Sequence, residues 1–160
     1  MQQYRIEIKW ALIFVGMMLL WMIGERLVGL HDELIAHHPT WTNLVAIPAI
    51  VIYVLALRDK RDNFHQGIMS WGQGFKAGAI MTVIIAVISP LSQYITSTII
   101  TPDYFANAIE YSVSSGNTTQ EEAEAFFNLK SYLVMAPIGA LIMGLVTSAI
   151  VAIFVKRKAD

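Results

Sequence analysis

The chain has 160 residues, of which 56% are hydrophobic and 14% are charged, against about 25% charged residues in typical soluble domains. A domain of this size has too much surface for its volume to hide so many apolar side chains from water, so the composition predicts a membrane protein. It argues against a disordered chain, a basic nucleic-acid binder and, since cysteine is absent, a disulfide-stabilised secreted module; the net charge of −1 indicates no partner.

Four apolar stretches approach or exceed the roughly 20 residues that a helix needs to cross a bilayer's hydrocarbon core. Backbone polar groups in lipid must be satisfied within the segment, so we expect four helices rather than strands. The first stretch lacks a small-residue cleavage site and is interpreted as a retained anchor rather than a signal peptide. The predicted spans are 10–30, 39–57, 75–100 and 131–155, within one transmembrane domain that covers 1–160.

Lysine and arginine residues divide unequally between the two sides that this topology creates. One side holds nine of them and the other holds two, and an excess of basic residues marks the cytoplasmic side of a membrane protein. We therefore predict that both termini are cytoplasmic. The nine are Arg5, Lys9, Arg58, Lys60, Arg61, Lys76, Lys156, Arg157 and Lys158, and the two are Arg26 and Lys130.

Small residues recur at four-residue spacing along the third and fourth spans, which lets helix backbones approach each other closely in lipid. Because the two spans are consecutive and antiparallel, we expect these faces to pack together within the chain; packing between two copies is the alternative. The third span contributes Gly74, Gly78, Thr82 and Ala86, and the fourth contributes Ala136, Ala140, Gly144, Ser148 and Ala152.

The outer connection, residues 101–130, has the pattern of two short amphipathic helices. Thr101 is predicted to cap the first, and Gly116 to end it. Thr119 and Glu122 have the spacing of a capping box that opens the second helix. Such helices either lie along the membrane surface or form a docking surface for a partner.

The outer end of the first span is rich in histidine and carboxylate, which are metal-ligand residue types. His31, Glu33 and His37 are weak candidate ligands, because Glu33 and His37 share a helix face if the helix continues that far. The alternative is a polar helix end at the interface. Pro39 disfavours helical backbone at His38, and the spacing matches no established zinc motif.

A polar stripe in the outer half of the third span is formed by Ser89, Gln93 and Thr96. It either lines a wet path or holds helices together by hydrogen bonds. The sequence contains no recognisable catalytic constellation and no phosphate or dinucleotide loop, so we predict neither enzymatic activity nor a cofactor.

Five segments in combination resemble the bacterial membrane family known as domain of unknown function 4199. They are 29–33 (GLHDE), 43–64 (NLVAIPAIVIYVLALRDKRDNF), 89–111 (SPLSQYITSTIITPDYFANAIEY), 119–129 (TQEEAEAFFNL) and 144–154 (GLVTSAIVAIF). The resemblance implies a small four-helix protein of the bacterial inner membrane and assigns no activity or functional residues.

The sequence as a whole predicts an all-α, four-helix integral membrane bundle of two antiparallel hairpins, with two short helices outside the cytoplasm. The leading functional hypothesis is a non-enzymatic interaction, assembly or accessory subunit. Its partners are the lipid bilayer and either another membrane protein or a second copy, and no nucleic acid. The alternatives are a small transporter or channel component and, from the histidines, a metal-dependent membrane enzyme that faces the periplasm.

Overall fold

The computed structural model describes residues 2–158, and among these residues the chain is helical with turns and short connections. Four helical stretches are long and apolar enough to cross a membrane, namely Arg5–Leu27, Ile35–Asn63, Trp71–Ile100 and Leu129–Val155. The all-helical class and the number of candidate spans therefore agree with the sequence prediction. The α-helices are α1 (Arg5–Leu27), α2 (His38–Trp41), α3 (Ala46–Asn63), α4 (Trp71–Ile95), α5 (Tyr104–Ser114), α6 (Gln120–Phe126) and α7 (Leu129–Val155).

Helices α4 and α7 make the most extensive helix–helix contact, and small residues set how near the two backbones come. A Cβ atom built at Gly78 would lie 2.5 Å from Oγ of Ser148, and one at Gly74 would lie 3.3 Å from Cβ of Ala152. A Cβ at Gly144 would lie 2.5 Å from Cγ2 of Thr82. The face that repeats every four residues thus contacts the neighbouring helix of the same chain. Of the other members of the two ladders, Ala86 is buried and Ala136 and Ala140 are partly buried.

Polar groups in the α4–α7 contact find partners close by, as buried hydroxyls in lipid should. The hydroxyl of Ser148 donates to the carbonyl of Gly144 at 2.6 Å, and that of Thr82 donates to Gly78 at 2.9 Å. The Tyr53 hydroxyl from α3 lies 2.8 Å from Oγ1 of Thr82. This hydrogen bond connects α3 to the α4–α7 pair.

Helix α1 ends earlier than the sequence suggested. It stops at Leu27, and Gly29 then takes a left-handed backbone conformation with φ of +79°. Only glycine adopts that conformation at low cost, so the chain turns there instead of continuing as a helix. Helical structure resumes at Ile35 and continues as α2 from His38, with Pro39 in its first turn. The expectation that Pro39 keeps His38 out of a helix was wrong, because a first-turn proline lacks only an N–H that has no partner within the helix.

The connection between α4 and α7 contains the two predicted short helices. Gly116 follows α5 with φ of +73°, and the capping box of Thr119 and Glu122 that opens α6 is confirmed in both directions. The predicted cap at Thr101 is wrong, because α5 begins at Tyr104 after Asp103. The hydroxyl of Thr101 instead donates to the carbonyl of Thr96, in the π-helical turn Thr96–Ile100 that extends α4. Thr101 therefore ends one helix rather than starting the next.

Candidate functional site: a buried carboxylate between two histidines

Three residues from separate structural elements meet at the end of the bundle where α1 ends and α7 begins. We call this end the acidic end. Glu25 comes from the last turns of α1, His31 from the turn after Gly29, and His38 from the start of α2. One ligand-type atom from each residue lies within 4.8 Å of the others. We call this group the Glu25 cluster.

The two carboxylate oxygens of Glu25 have different partners. The indole of Trp21, one turn earlier on α1, donates to Oε1 at 2.5 Å. Nε2 of His31 lies 3.0 Å from Oε2. Nε2 of His38 lies 3.4 Å from the same oxygen, but it is not aligned for a hydrogen bond. Trp21 therefore fixes one oxygen, and the two imidazoles converge on the other.

The Glu25 cluster is shielded from solvent although it lies at an end of the bundle. The side chains of Glu25 and His31 are 3% and 2% exposed, and that of His38 is 15% exposed. Nδ1 of His31 and Nε2 of His38 are buried and have no hydrogen-bond partner among residues 2–158. Buried polar atoms are usually paired, so two unpaired ring nitrogens in one cluster are unusual.

Helix α5 covers the cluster. The ring of Tyr104 packs against the rings of His31 and His38, with centroids 5.3 Å and 5.2 Å away. Burial raises the pKa of the Tyr104 hydroxyl far above its ordinary value, so this group stays protonated. The side-chain amide of Asn107 donates to the carbonyl of His31 at 2.9 Å. The connection between α4 and α7 thus positions the turn that carries His31 as well as covering it.

Arg26 follows Glu25 directly and points elsewhere, because adjacent residues do not share a helix face. Its guanidinium donates to the carbonyl of Ile100 in the π-helical turn. The arginine therefore satisfies a backbone group at the end of α4 and joins α4 to α1 beside the cluster.

The structure brings together only part of the predicted metal-ligand set. His31 is in the Glu25 cluster, whereas Glu33 and His37 are exposed and belong to no such group in the described part of the chain. The i, i+4 relation of Glu33 to His37 requires a continuous helix, and Gly29 interrupts it. Sequence analysis missed His38 as a partner of Glu25. The apolar stretch around Glu25 was the available signal, since a charge inside a span needs a partner.

The polar stripe of α4 makes hydrogen bonds within its own helix and its π-helical extension. The hydroxyl of Ser89 donates to the carbonyl of Ala86 at 2.9 Å, and the side-chain amide of Gln93 donates to Oγ of Ser97 at 2.9 Å. Thr96 is buried in the π-helical turn. These hydrogen bonds are what a structural role for the stripe requires, and neither of them involves a titratable side chain.

Chemically, the Glu25 cluster offers one carboxylate oxygen and two imidazoles that are largely shielded from solvent near the end of α1. Such a set suits proton exchange or binding of a metal ion. Residues 9–157 match the model of a family described as a protein of unknown function, DUF4199. No curated protein and no solved structure matches the chain.

Proposed function

Since the chain belongs to the DUF4199 family, whose description assigns no activity, we propose a role from its own structure: a non-enzymatic integral membrane protein that acts as an interaction or accessory subunit. The observation that carries this proposal is the length and folding of the connection between α4 and α7. Two helices packed side by side need a link of about 2–8 residues, yet residues 101–128 separate these two. Long connections in compact folds are commonly functional.

The connection between α3 and α4 is much shorter than the one between α4 and α7. Residues 64–70 suffice to join α3 to α4. The α4–α7 connection instead folds into α5 and α6, each with its own helix start and stop. Its exposed acidic side chains are Asp103, Glu110, Glu121, Glu122 and Glu124. We infer that this acidic surface contacts a membrane protein with a complementary basic surface.

The proposed orientation places this surface outside the cytoplasm. Nine of the eleven lysine and arginine residues lie at the opposite end, where α1 begins and α7 ends, which we call the basic end. By the positive-inside rule that end is cytoplasmic, together with both termini, and in a bacterium the membrane is the inner membrane. The exposed apolar side chains of α1, α4 and α7, such as Leu20, Val87 and Phe154, then face lipid.

The small-residue ladders are used within the chain, so a partner contact would lie elsewhere on the molecule. Since Gly78 and Gly144 already contact α7 and α4 of the same chain, they are not free to pair with a second copy. The hydrogen bonds within the polar stripe of α4 likewise favour a structural role over a transport path. An interaction subunit is therefore better supported than a transporter.

Single-cysteine variants test both orientation and partner contact, because the natural chain has no cysteine. Ser115→Cys places a thiol at the exposed junction of α5 and α6, and Lys158→Cys places one at the basic end. A membrane-impermeant maleimide should label intact cells that carry Ser115→Cys and not those that carry Lys158→Cys. The reverse pattern would overturn the orientation.

The same two variants then carry a photoactivatable maleimide crosslinker in native membranes. We expect a discrete protein adduct from Ser115→Cys, identified by mass spectrometry, and none from Lys158→Cys. The experiment is repeated with Glu121→Cys and Glu124→Cys. Adducts with lipid alone in all three variants would refute the interaction role.

A further inference from the structure

Two distances between potential ligand atoms in the Glu25 cluster resemble those between the ligands of a tetrahedral metal site. Zinc binds histidine nitrogen and carboxylate oxygen at about 2.0–2.2 Å, so two ligand atoms of a tetrahedral site lie about 3.3–3.5 Å apart. The Nε2 atoms of His31 and His38 lie 3.0 Å and 3.4 Å from Oε2 of Glu25. Small side-chain adjustments would bring all three atoms to bonding distance from one ion.

The unpaired Nε2 of His38 is the atom that a central cation would satisfy. Two imidazoles converge on one oxygen, and only His31 makes a hydrogen bond to it. Nε2 of His38 is buried and faces that oxygen without a hydrogen bond, which is costly for a polar atom away from water. One cation at the centre would satisfy all three atoms together.

The hydrogen bond to the Glu25 carboxylate requires a proton on Nε2 of His31, and a metal ion at Nε2 would replace that proton. Coordination through Nε2 requires the ring proton on Nδ1, and that atom has no neighbouring hydrogen-bond partner among residues 2–158. A hydrogen-bond donor at Nδ1 would have forced the proton onto Nε2. No neighbouring group at Nδ1 therefore opposes a shift of the ring proton from Nε2 to Nδ1 when a metal ion binds.

Neighbouring side chains hold the three groups in place, as supporting residues around metal sites do. Trp21 fixes Oε1 of Glu25, which leaves Oε2 for the histidines. Asn107 holds the backbone carbonyl of His31, and the ring of Tyr104 packs against both imidazoles. The set is pre-organised by residues of α1 and α5 that are not themselves ligands.

We propose that Glu25, His31 and His38 form a binding site for a divalent transition-metal ion of the zinc class. Two imidazoles and one carboxylate suit zinc better than calcium or magnesium, which prefer six or more oxygen ligands. Three protein ligands leave a fourth position for water or another ligand. The site lies where the α1–α2 turn meets α5, so the ion enters from the acidic end. This inference does not depend on the interaction role proposed above.

Zinc binding to the full-length protein in detergent or nanodiscs tests the proposal. The protein is purified through a tag without histidine, equilibrated with zinc chloride and analysed by equilibrium dialysis with elemental analysis. We expect one zinc ion per chain, lost in Glu25→Gln, His31→Gln and His38→Gln. The matched controls Glu33→Gln and His37→Gln change exposed residues of the same types nearby, and they should keep the ion.

Two results would overturn the proposal: wild-type protein that binds no stoichiometric zinc, or binding that is lost in the Glu33 and His37 variants and kept in the cluster variants. A second measurement uses the unmodified chain, so it stands even if a cluster variant fails to fold. Cobalt(II) should give the intense visible absorption of a four-coordinate ion, displaced by zinc. A weak six-coordinate spectrum would contradict the site.

Discussion

The two ends of the bundle each bury a carboxylate of α1, and they neutralise it in different ways. At the basic end Glu7 is 3% exposed and pairs with Lys60 of α3 at 2.8 Å. Lys60 also donates to the carbonyl of Gln3 and lies over the ring of Phe64. At the acidic end Glu25 is equally buried but faces His31 and His38.

The difference separates a structural charge from a responsive one. Lys60 neutralises Glu7 through one ion pair to Oε1, and Oε2 of Glu7 is buried without a hydrogen-bond partner among residues 2–158. An imidazole is neutral or charged depending on its surroundings, and its free nitrogen can bind a metal ion. The Glu25 cluster therefore offers metal-ligand atoms that the Glu7 pair lacks, which is why we propose a binding role for the acidic end and a stabilising role for the basic end.

The largest expected effect is at the Glu7 pair. Lys60→Met leaves Glu7 buried without its cation, and breaking such a pair costs about 3–5 kcal/mol in the free energy of unfolding. The double variant Glu7→Leu with Lys60→Met should recover most of that loss, because an apolar pair needs no counter-charge. Equilibrium unfolding in mixed micelles measures both.

At the acidic end His38→Phe should cost less than Lys60→Met, since Glu25 keeps its partners Trp21 and His31. If the histidine variant were the more damaging of the two, the division into a stabilising and a responsive end would be wrong.

A smaller loss of stability is expected where α4 and α7 connect the two ends. Gly144→Ala places a Cβ 2.5 Å from Thr82 and should destabilise the protein by about 1–3 kcal/mol through overpacking. Gly139→Ala on the same helix meets no atom within 4 Å and should be neutral or slightly stabilising, since alanine favours helix. Equal unfolding energies for the two variants would show that the contact does not bear on stability.

A change in zinc affinity distinguishes the tryptophans of the two ends. Trp21→Phe removes the donor that orients Glu25, and the loss of such a supporting hydrogen bond typically weakens metal binding about 10–100-fold. Trp10→Phe removes an equivalent donor to Asp59 at the basic end and should leave zinc affinity unchanged. Competition with a chromophoric chelator gives both affinities, and a Trp21→Phe protein that binds zinc as tightly as wild type would remove this residue from the site.

Local patterns gave reliable predictions where the determining interactions lie within a few residues. The Thr119–Glu122 capping box and the Gly116 stop depend on backbone geometry and one nearby side chain, so the sequence identifies them. The same local logic failed for Glu33 and His37. Their pairing assumed a continuous helix that the left-handed backbone of Gly29 interrupts.

Sequence alone determined that this chain has four apolar helices suited to a membrane and an unequal distribution of basic residues, because span length and hydropathy are properties of contiguous stretches. Only the tertiary structure decided that His38 approaches Glu25 and that Lys60 neutralises Glu7. Those pairs join different helices, and their meeting depends on how the turn after α1 redirects the chain and on how α1 packs against α3. No periodicity within one segment encodes such distances.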